Sequence, residues 1–211
     1  VAEVIRGGTL FAEVVAAGRR AALITPYPER YFEAIESGRR LLSAVPLAAT
    51  AAGLPLWGVA ELRAGRAVSP DFTGQGWRDY LGYGDVAVLA PAEAGRRIAA
   101  IAAGHDFSFF EHWPTDQVGH RGTLDEAVAH LETMDAALGG LLGAWDDAHG
   151  LLILTSDHGN LEEKGHRQHT RNAVPTILGG RDHAAHAAAI HTLADIAGVV
   201  RRALGLPAPD R

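Results

Sequence analysis

Four short apolar runs constrain this chain most: Ala21–Thr25, Phe107–Phe110, Leu151–Leu154 and Thr176–Leu178. Each is short for a helix and rich in aliphatic or aromatic side chains, and most of the intervening stretches carry helical periodicity. Buried strands alternating with helices predict an α/β fold, with a mainly parallel sheet covered by helices on both faces. The expected helices are Leu10–Ala17 before Gly18, Glu29–Ser37 between Pro28 and Gly38, Pro91–Ala103, Thr123–Asp147, and a closing helix His183–Leu204. Val86–Leu89 reads as a short strand or a connector. Residues 41–85 hold Ser69-Pro70-Asp71 and Gly74-Gln75-Gly76, turn-forming clusters that predict loops and short helices, a small excursion or cap on a single 1–211 domain.

The longest helix is the best specified. Thr123-x-x-Glu126 is a capping-box pattern. Leu124, Val128, Leu131, Met134, Leu138, Leu141, Leu142 and Trp145 form an apolar stripe at helical spacing, read as core.

Composition narrows the chemistry. At 47% hydrophobic the 211 residues can bury a sizeable core. A net charge of −6 with no basic block disfavours nucleic acid or an anionic membrane surface as a partner. Cations are nearly all Arg, Lys164 being the one Lys, which reads as genome composition bias. There is no Cys, so a metal site must be built from His and carboxylates. No apolar run reaches the roughly 18 residues a membrane span needs, and the expected location is the cytoplasm. The chain begins at Val1 without Met, so the expectation is a piece of a longer protein, and a leader before Val1 stays open.

Candidate ligands collect where strands end, the place where open α/β sheets bind ligands. The run Phe107–Phe110 leads through Glu111-His112-Trp113-Pro114-Thr115 to Asp116 and His120, and Leu151–Leu154 leads to Asp157-His158. His169 follows on the next loop, before Pro175. Any one such pair is common by chance in a surface loop. Their recurrence at successive strand ends, each with nearby glycines (Gly119, Gly122, Gly159), points to a site for Zn²⁺ or Mn²⁺.

The motifs Asp116-x-Val118-Gly119-His120-x-Gly122, Thr155-Ser156-Asp157-His158-Gly159-Asn160 and His166-x-x-His169-Thr170-x-Asn172-x-Val174-Pro175 resemble the metal-binding series of the alkaline phosphatase superfamily. The resemblance is closest to its cofactor-independent phosphoglycerate mutase and phosphopentomutase branch and strongest over residues 105–180. It implies an alkaline-phosphatase-like domain, of which residues 1–211 are the C-terminal portion, and two divalent ions, Mn²⁺ or Zn²⁺ with Mg²⁺ as a further choice. Asp116, His120 and His169 would bind one metal, and Asp157 and His158 the other. His166 fits the pattern as a group behind the ligands or facing substrate, as does Asn160. Arg121, Arg167 and Arg171 flank the ligands and are either phosphate clamps or solvated loop charges. His112, near a strand end, is either a ligand or a group behind the ligands or facing substrate, and the remaining histidines, including His105, His130, His149, His183, His186 and His191, read as solvated or helix-end groups.

The family completes its second metal with an Asp in an Asp-Gly turn and with a nucleophilic Ser or Thr. No Asp-Gly occurs here. The expectation is that both groups precede Val1. The alternative, Asp71 and Thr73 in their place, lacks a preceding strand and sets the two too close together. The resemblance implies phosphoryl transfer to or from a small phosphorylated substrate, by a phosphomonoester hydrolase or a phosphomutase. Absence of an evident large cap leans towards the hydrolase. Sulfatases and phosphodiesterases share the scaffold, and a metal-binding chain without activity of its own is the remaining alternative.

Overall fold

The computed structural model describes residues 3, 5, 8–165 and 168–207. Strand β1 (Ala21–Leu23) follows helix α1 (Leu10–Ala16) and pairs in parallel with β2 (Phe107–Phe109), Ala21 opposite Phe107 and Leu23 opposite Phe109. Between them come α2 (Glu29–Glu36), α3 (Ala44–Ala51), α4 (Val59–Arg63), α5 (Gln75–Leu81) and α6 (Pro91–Ala102). Residues 41–85 are therefore loops and short helices, as their composition predicts, and Val86–Leu89 is a connector without strand pairing.

β1 shows why alternation matters. Ala22 and Ile24 point into a core with Val68, Phe72, Ala94, Ile98, Ala99, Ala137 and Leu141, whereas Leu23 joins Phe11, Tyr27, Tyr31 and Ala49 on the opposite side. Successive side chains leave a strand on opposite faces, so β1 is buried by helices on both.

The second strand pair departs from expectation. β3 (Leu151–Thr155) and β4 (Thr176–Gly180) run antiparallel, Leu151 opposite Gly180 and Thr155 opposite Thr176. The mainly parallel sheet is thus met in part: among the described residues there is one parallel and one antiparallel pair. The physical reason lies in residues 156–175, whose described members hold no helix. A parallel return needs a crossover across the sheet face, whereas this loop begins and ends at one end of the pair.

Helix α7 (Pro114–Arg121) is not among the helices expected from the sequence; Pro114 at its first turn fits a helix start. Helix α8 (Leu124–Ala144) follows, with the Thr123–Glu126 capping box formed in both directions. Its apolar stripe is core only in part: Leu141 is buried, and Met134, Leu138 and Trp145 pack against the same cluster. Leu124 is 66% exposed, and Val128, Leu131 and Leu142 are also exposed, while Met134, Leu138 and Trp145 are half-buried. The fully buried residues are Ala127, Ala137, Gly140 and the stripe's Leu141, so the buried face is turned towards the small residues. Small residues won because α8 lies against α6 at very short range: a Cβ on Gly95 would collide with the Ala137 carbonyl, and one on Gly140 with that of Ala92.

The expected closing helix is two, α9 (His183–Ala187) and α10 (Asp195–Leu204). The Asp195 carboxylate accepts from the backbone N–H of His191 (3.0 Å) and Thr192 (2.8 Å), which breaks the run and starts a new helix. α10 is tied back to α1 by a two-pronged Arg201–Glu13 ion pair (2.6 and 2.7 Å). No helix among the described residues is long and apolar enough to cross a membrane.

Replacing Gly95 or Gly140 by Ala should force α6 and α8 apart and cost about 1–3 kcal/mol, whereas Gly139→Ala, where a Cβ meets open space, should cost nothing. Urea unfolding of the three variants checks this; equal midpoints for all three would remove the glycine crossing as the reason for the buried face.

Candidate metal centre

Asp116 and His120 are four residues apart on α7 and so share one face of it. His120 Nε2 lies 3.3 Å from Asp116 Oδ1. His169, from the β3–β4 loop, places Nε2 3.1 Å from that oxygen and 3.1 Å from His120 Nε2. The ligand atoms of this trio lie within 4.8 Å of one another.

Two further observations bear on whether a cation fits. The donor set is one carboxylate and two imidazoles, suited to Zn²⁺ or Mn²⁺, with spacings close to the roughly 3.3 Å that separates tetrahedral ligands about a small cation. Beside it, His158 holds a buried Nδ1 with no hydrogen-bond partner, and its ring stacks on His169 with centroids 3.5 Å apart. Three imidazoles packed around one carboxylate is an arrangement that a cation would relieve. The residues fit a divalent metal.

His158 Nε2 is 3.9 Å from Asp116 Oδ1 and 3.6 Å from Asp157 Oδ1. Asp157 itself stands at the rim, its side chain 88% exposed. Of the five sequence-predicted ligands, Asp116, His120 and His169 converge, His158 adjoins them, and Asp157 faces outward. Arg121 and Arg171 are exposed beside them. His166 and Arg167 lie outside the described residues.

Asn160 is 4% exposed. Its Nδ2 donates to Asp116 Oδ1 (2.8 Å) and to the Asp116 carbonyl (3.2 Å), which holds the carboxylate from behind. A Cβ on Gly119 would lie 2.6 Å from this carboxamide, so that glycine permits the contact. Lys164 Nζ donates to the carbonyls of Val118 (2.6 Å) and Gly119 (3.2 Å) near the C-terminal end of α7, a favourable place for a cation.

Sequence reasoning missed Glu111 and Tyr27. Glu111 follows β2, its backbone N–H donating to the buried Thr25 hydroxyl (2.7 Å), and the Tyr27 hydroxyl donates to its carboxylate. Burial raises the Glu111 carboxyl above the ordinary range; the Tyr27 hydrogen bond opposes this and the negative charge of Asp157 reinforces it. Position at a strand's carboxyl end was the only signal available.

His130 departs from a solvated reading, and His112 packs against it, away from the Asp116 trio. His112 Nδ1 donates to the Pro70 carbonyl (2.7 Å), leaving its Nε2 to accept from His130 Nε2 (3.0 Å). The His112 ring lies between Phe72 and His130, 4.9 and 5.0 Å away. Burial drives its pKa down to about 4. His105 and His149 keep their expected roles, bonded to the Ile101 carbonyl near a helix end and to Asp146 at the surface.

With this geometry established, comparison with known proteins defines the class: the chain belongs to the Metalloenzyme superfamily, whose sequence pattern matches residues 88–208. More particularly, it is 38% identical over 128 residues to a 2,3-bisphosphoglycerate-independent phosphoglycerate mutase of Ruegeria sp., covering 57% of this chain and 25% of that protein. Proteins of the same name from Dinoroseobacter shibae (40% over 119 residues; 53% and 23%) and Paracoccus denitrificans (36% over 129 residues; 58% and 25%) match similarly. The matched stretch is about a quarter of the length of these relatives.

A folded His112 pKa near 4, below the unfolded value near 6.5, means the unfolded chain binds the extra proton first. Stability should therefore fall as pH drops from about 6.5 towards 4, with a slope of at most about 1.4 kcal/mol per pH unit from this group. Urea midpoints measured across that range for wild type and His112→Gln check it; identical slopes would show that His112 is not the group responsible.

Proposed function

We propose that this chain supplies the metal-ligating part of a two-metal phosphoryl-transfer centre acting on a small phosphorylated substrate, as a phosphomonoester hydrolase or a phosphomutase. The observation that carries the reading is the convergence of Asp116, His120 and His169 from α7 and the β3–β4 loop. Membership of the superfamily and the mutase names of the relatives support it.

On this reading Asp116, His120 and His169 hold one ion, Mn²⁺ or Zn²⁺, and Asp157 with His158 contributes to a second. The second site is completed by a carboxylate and a Ser or Thr nucleophile expected upstream of Val1, and residues 1–211 form the C-terminal portion of an alkaline-phosphatase-like domain. Bound divalent ions lower the pKa of a hydroxyl nucleophile and offset charge on the phosphoryl oxygens. The chain's own side chains do the positioning. Asn160 and Lys164 hold α7 against the loop, so that Asp116 and His120 face His169. Arg121 and Arg171, exposed beside the ligands, orient the phosphoryl group. Asp157, open at the rim, is free to meet a group brought by the upstream polypeptide. The names of the relatives favour the mutase over the hydrolase.

In the protein with its encoded upstream sequence, His169→Ala and Asp157→Ala should each lose about one of two bound ions and at least about a thousandfold in phosphoryl transfer. Metal content by mass spectrometry and turnover of phosphomonoesters check this. Full metal content in either variant sinks the ligand assignment. Two ions bound without cleavage or transfer of any phosphomonoester sinks the enzymatic reading, and preference for sulfate esters or phosphodiesters redirects it.

A further inference from the structure

We infer that Glu162 is a positioning residue that knots the β3–β4 loop and thereby sets how tightly the metal centre binds its ion, an inference resting on the metal reading above. The loop must bring His158, just after β3, against His169, eleven residues later and well before β4. Among its described residues there is no helix to hold this arrangement. A single carboxylate takes that place. Glu162 Oε2 accepts from the Asn160 backbone N–H at 2.7 Å, and Oε1 accepts from the Thr170 hydroxyl and from Asn172 Nδ2 at 3.0 Å. Asn160 is two residues beyond His158 and Thr170 one beyond His169, so the carboxylate joins the two arms where the imidazoles leave them.

The backbone is drawn together at the same place. Thr170 N–H donates to the Gly159 carbonyl at 2.9 Å, an isolated antiparallel bridge, and a Cβ on Gly159 would collide with the Thr170 hydroxyl. The result is the 3.5 Å stack of His158 on His169. Asn160, anchored through its N–H to Glu162, is also the residue whose side chain holds Asp116. One carboxylate thus indexes three metal-site side chains that it does not touch. Three donors make it charge-assisted and lower its pKa to about 2, with the Thr170 hydroxyl the largest cause, so the knot stays charged at ordinary pH.

The test uses the full chain, metal-free, titrated with Mn²⁺ and separately with Zn²⁺ by calorimetry and chelator competition. Wild type is compared with Glu162→Ala, Glu162→Gln and Thr170→Val, with Asp116→Asn as the control that removes a ligand. Groups that orient ligands are typically worth 10–100-fold in metal affinity, so Glu162→Ala should raise the metal Kd by about that factor. Glu162→Gln, which keeps the acceptor for Thr170 and Asn172 but opposes a donor to the Asn160 N–H, should fall between. Thr170→Val should cost about threefold to tenfold. The metal-free unfolding midpoint should stay within about 2–4 °C of wild type, because the replaced carboxylate is at the surface, and amide exchange should quicken within residues 156–175 alone.

Unchanged affinity in Glu162→Ala, with wild type binding and Asp116→Asn not, overturns the inference and leaves the ligand assignment standing. If wild type binds no better than Asp116→Asn, the metal reading fails and takes the inference with it. Should Glu162→Ala not fold, Glu162→Gln and Thr170→Val decide: wild-type affinity in both overturns the role, and graded loss supports it.

Discussion

Helix α8 can lie down on α6 only because Gly95 and Gly140 put no side chain at the crossing. Much of the scaffold follows from that approach. It closes the core over the Ala22 and Ile24 face of β1, with Ala94, Ile98, Ala137 and Leu141 as its near walls. Only Gly122 and Thr123 separate α7 from α8, so seating α8 also fixes where α7 emerges beyond the end of β2. α7 carries Asp116 and His120. A packing constraint between two backbones therefore determines where two candidate ligands stand.

The other half of the centre is held by hydrogen bonds rather than by apolar packing. The β3–β4 loop is polar, and it keeps its shape through the Glu162 carboxylate, the Gly159–Thr170 bridge, and the Asn160 and Lys164 contacts to α7. Such a loop can crowd three imidazoles around one carboxylate, because hydrogen bonds to charged groups are strong enough to hold an otherwise strained cluster. The division is a common one: a rigid helix pair sets the position, and a hydrogen-bonded loop completes the site.

The partly exposed apolar stripe of α8 and the antiparallel β3–β4 pair show how far a periodic pattern carries. Leu124, Val128, Leu131 and Leu142 repeat at helical spacing, and that period did mark a helix. It could not say which side of the helix meets its neighbour, because Ala and Gly on the adjoining face allow a closer approach than leucines do. Likewise Leu151–Leu154 and Thr176–Leu178 read correctly as strands, but their relative direction depends on where the intervening loop goes. α7 was missed because eight residues containing glycine, histidine and proline carry little periodic signal, and Asp195 split the last helix through a side-chain contact that periodicity does not register.

By itself, the sequence determined the kinds of element, the order in which strand ends meet candidate ligands, and the chemistry of those ligands: without Cys, only His and carboxylates were left. These are local properties, written in spacing and residue type. Only the tertiary structure decided which donors share a centre. His120 and His169 are 49 residues apart and Asp116 and His169 are 53 apart, yet the three meet within 3.3 Å of one another, while Asp157, beside His158 in sequence, faces solvent. Convergence of that kind depends on how a helix and a loop are packed and hydrogen-bonded to each other, and no local pattern encodes it.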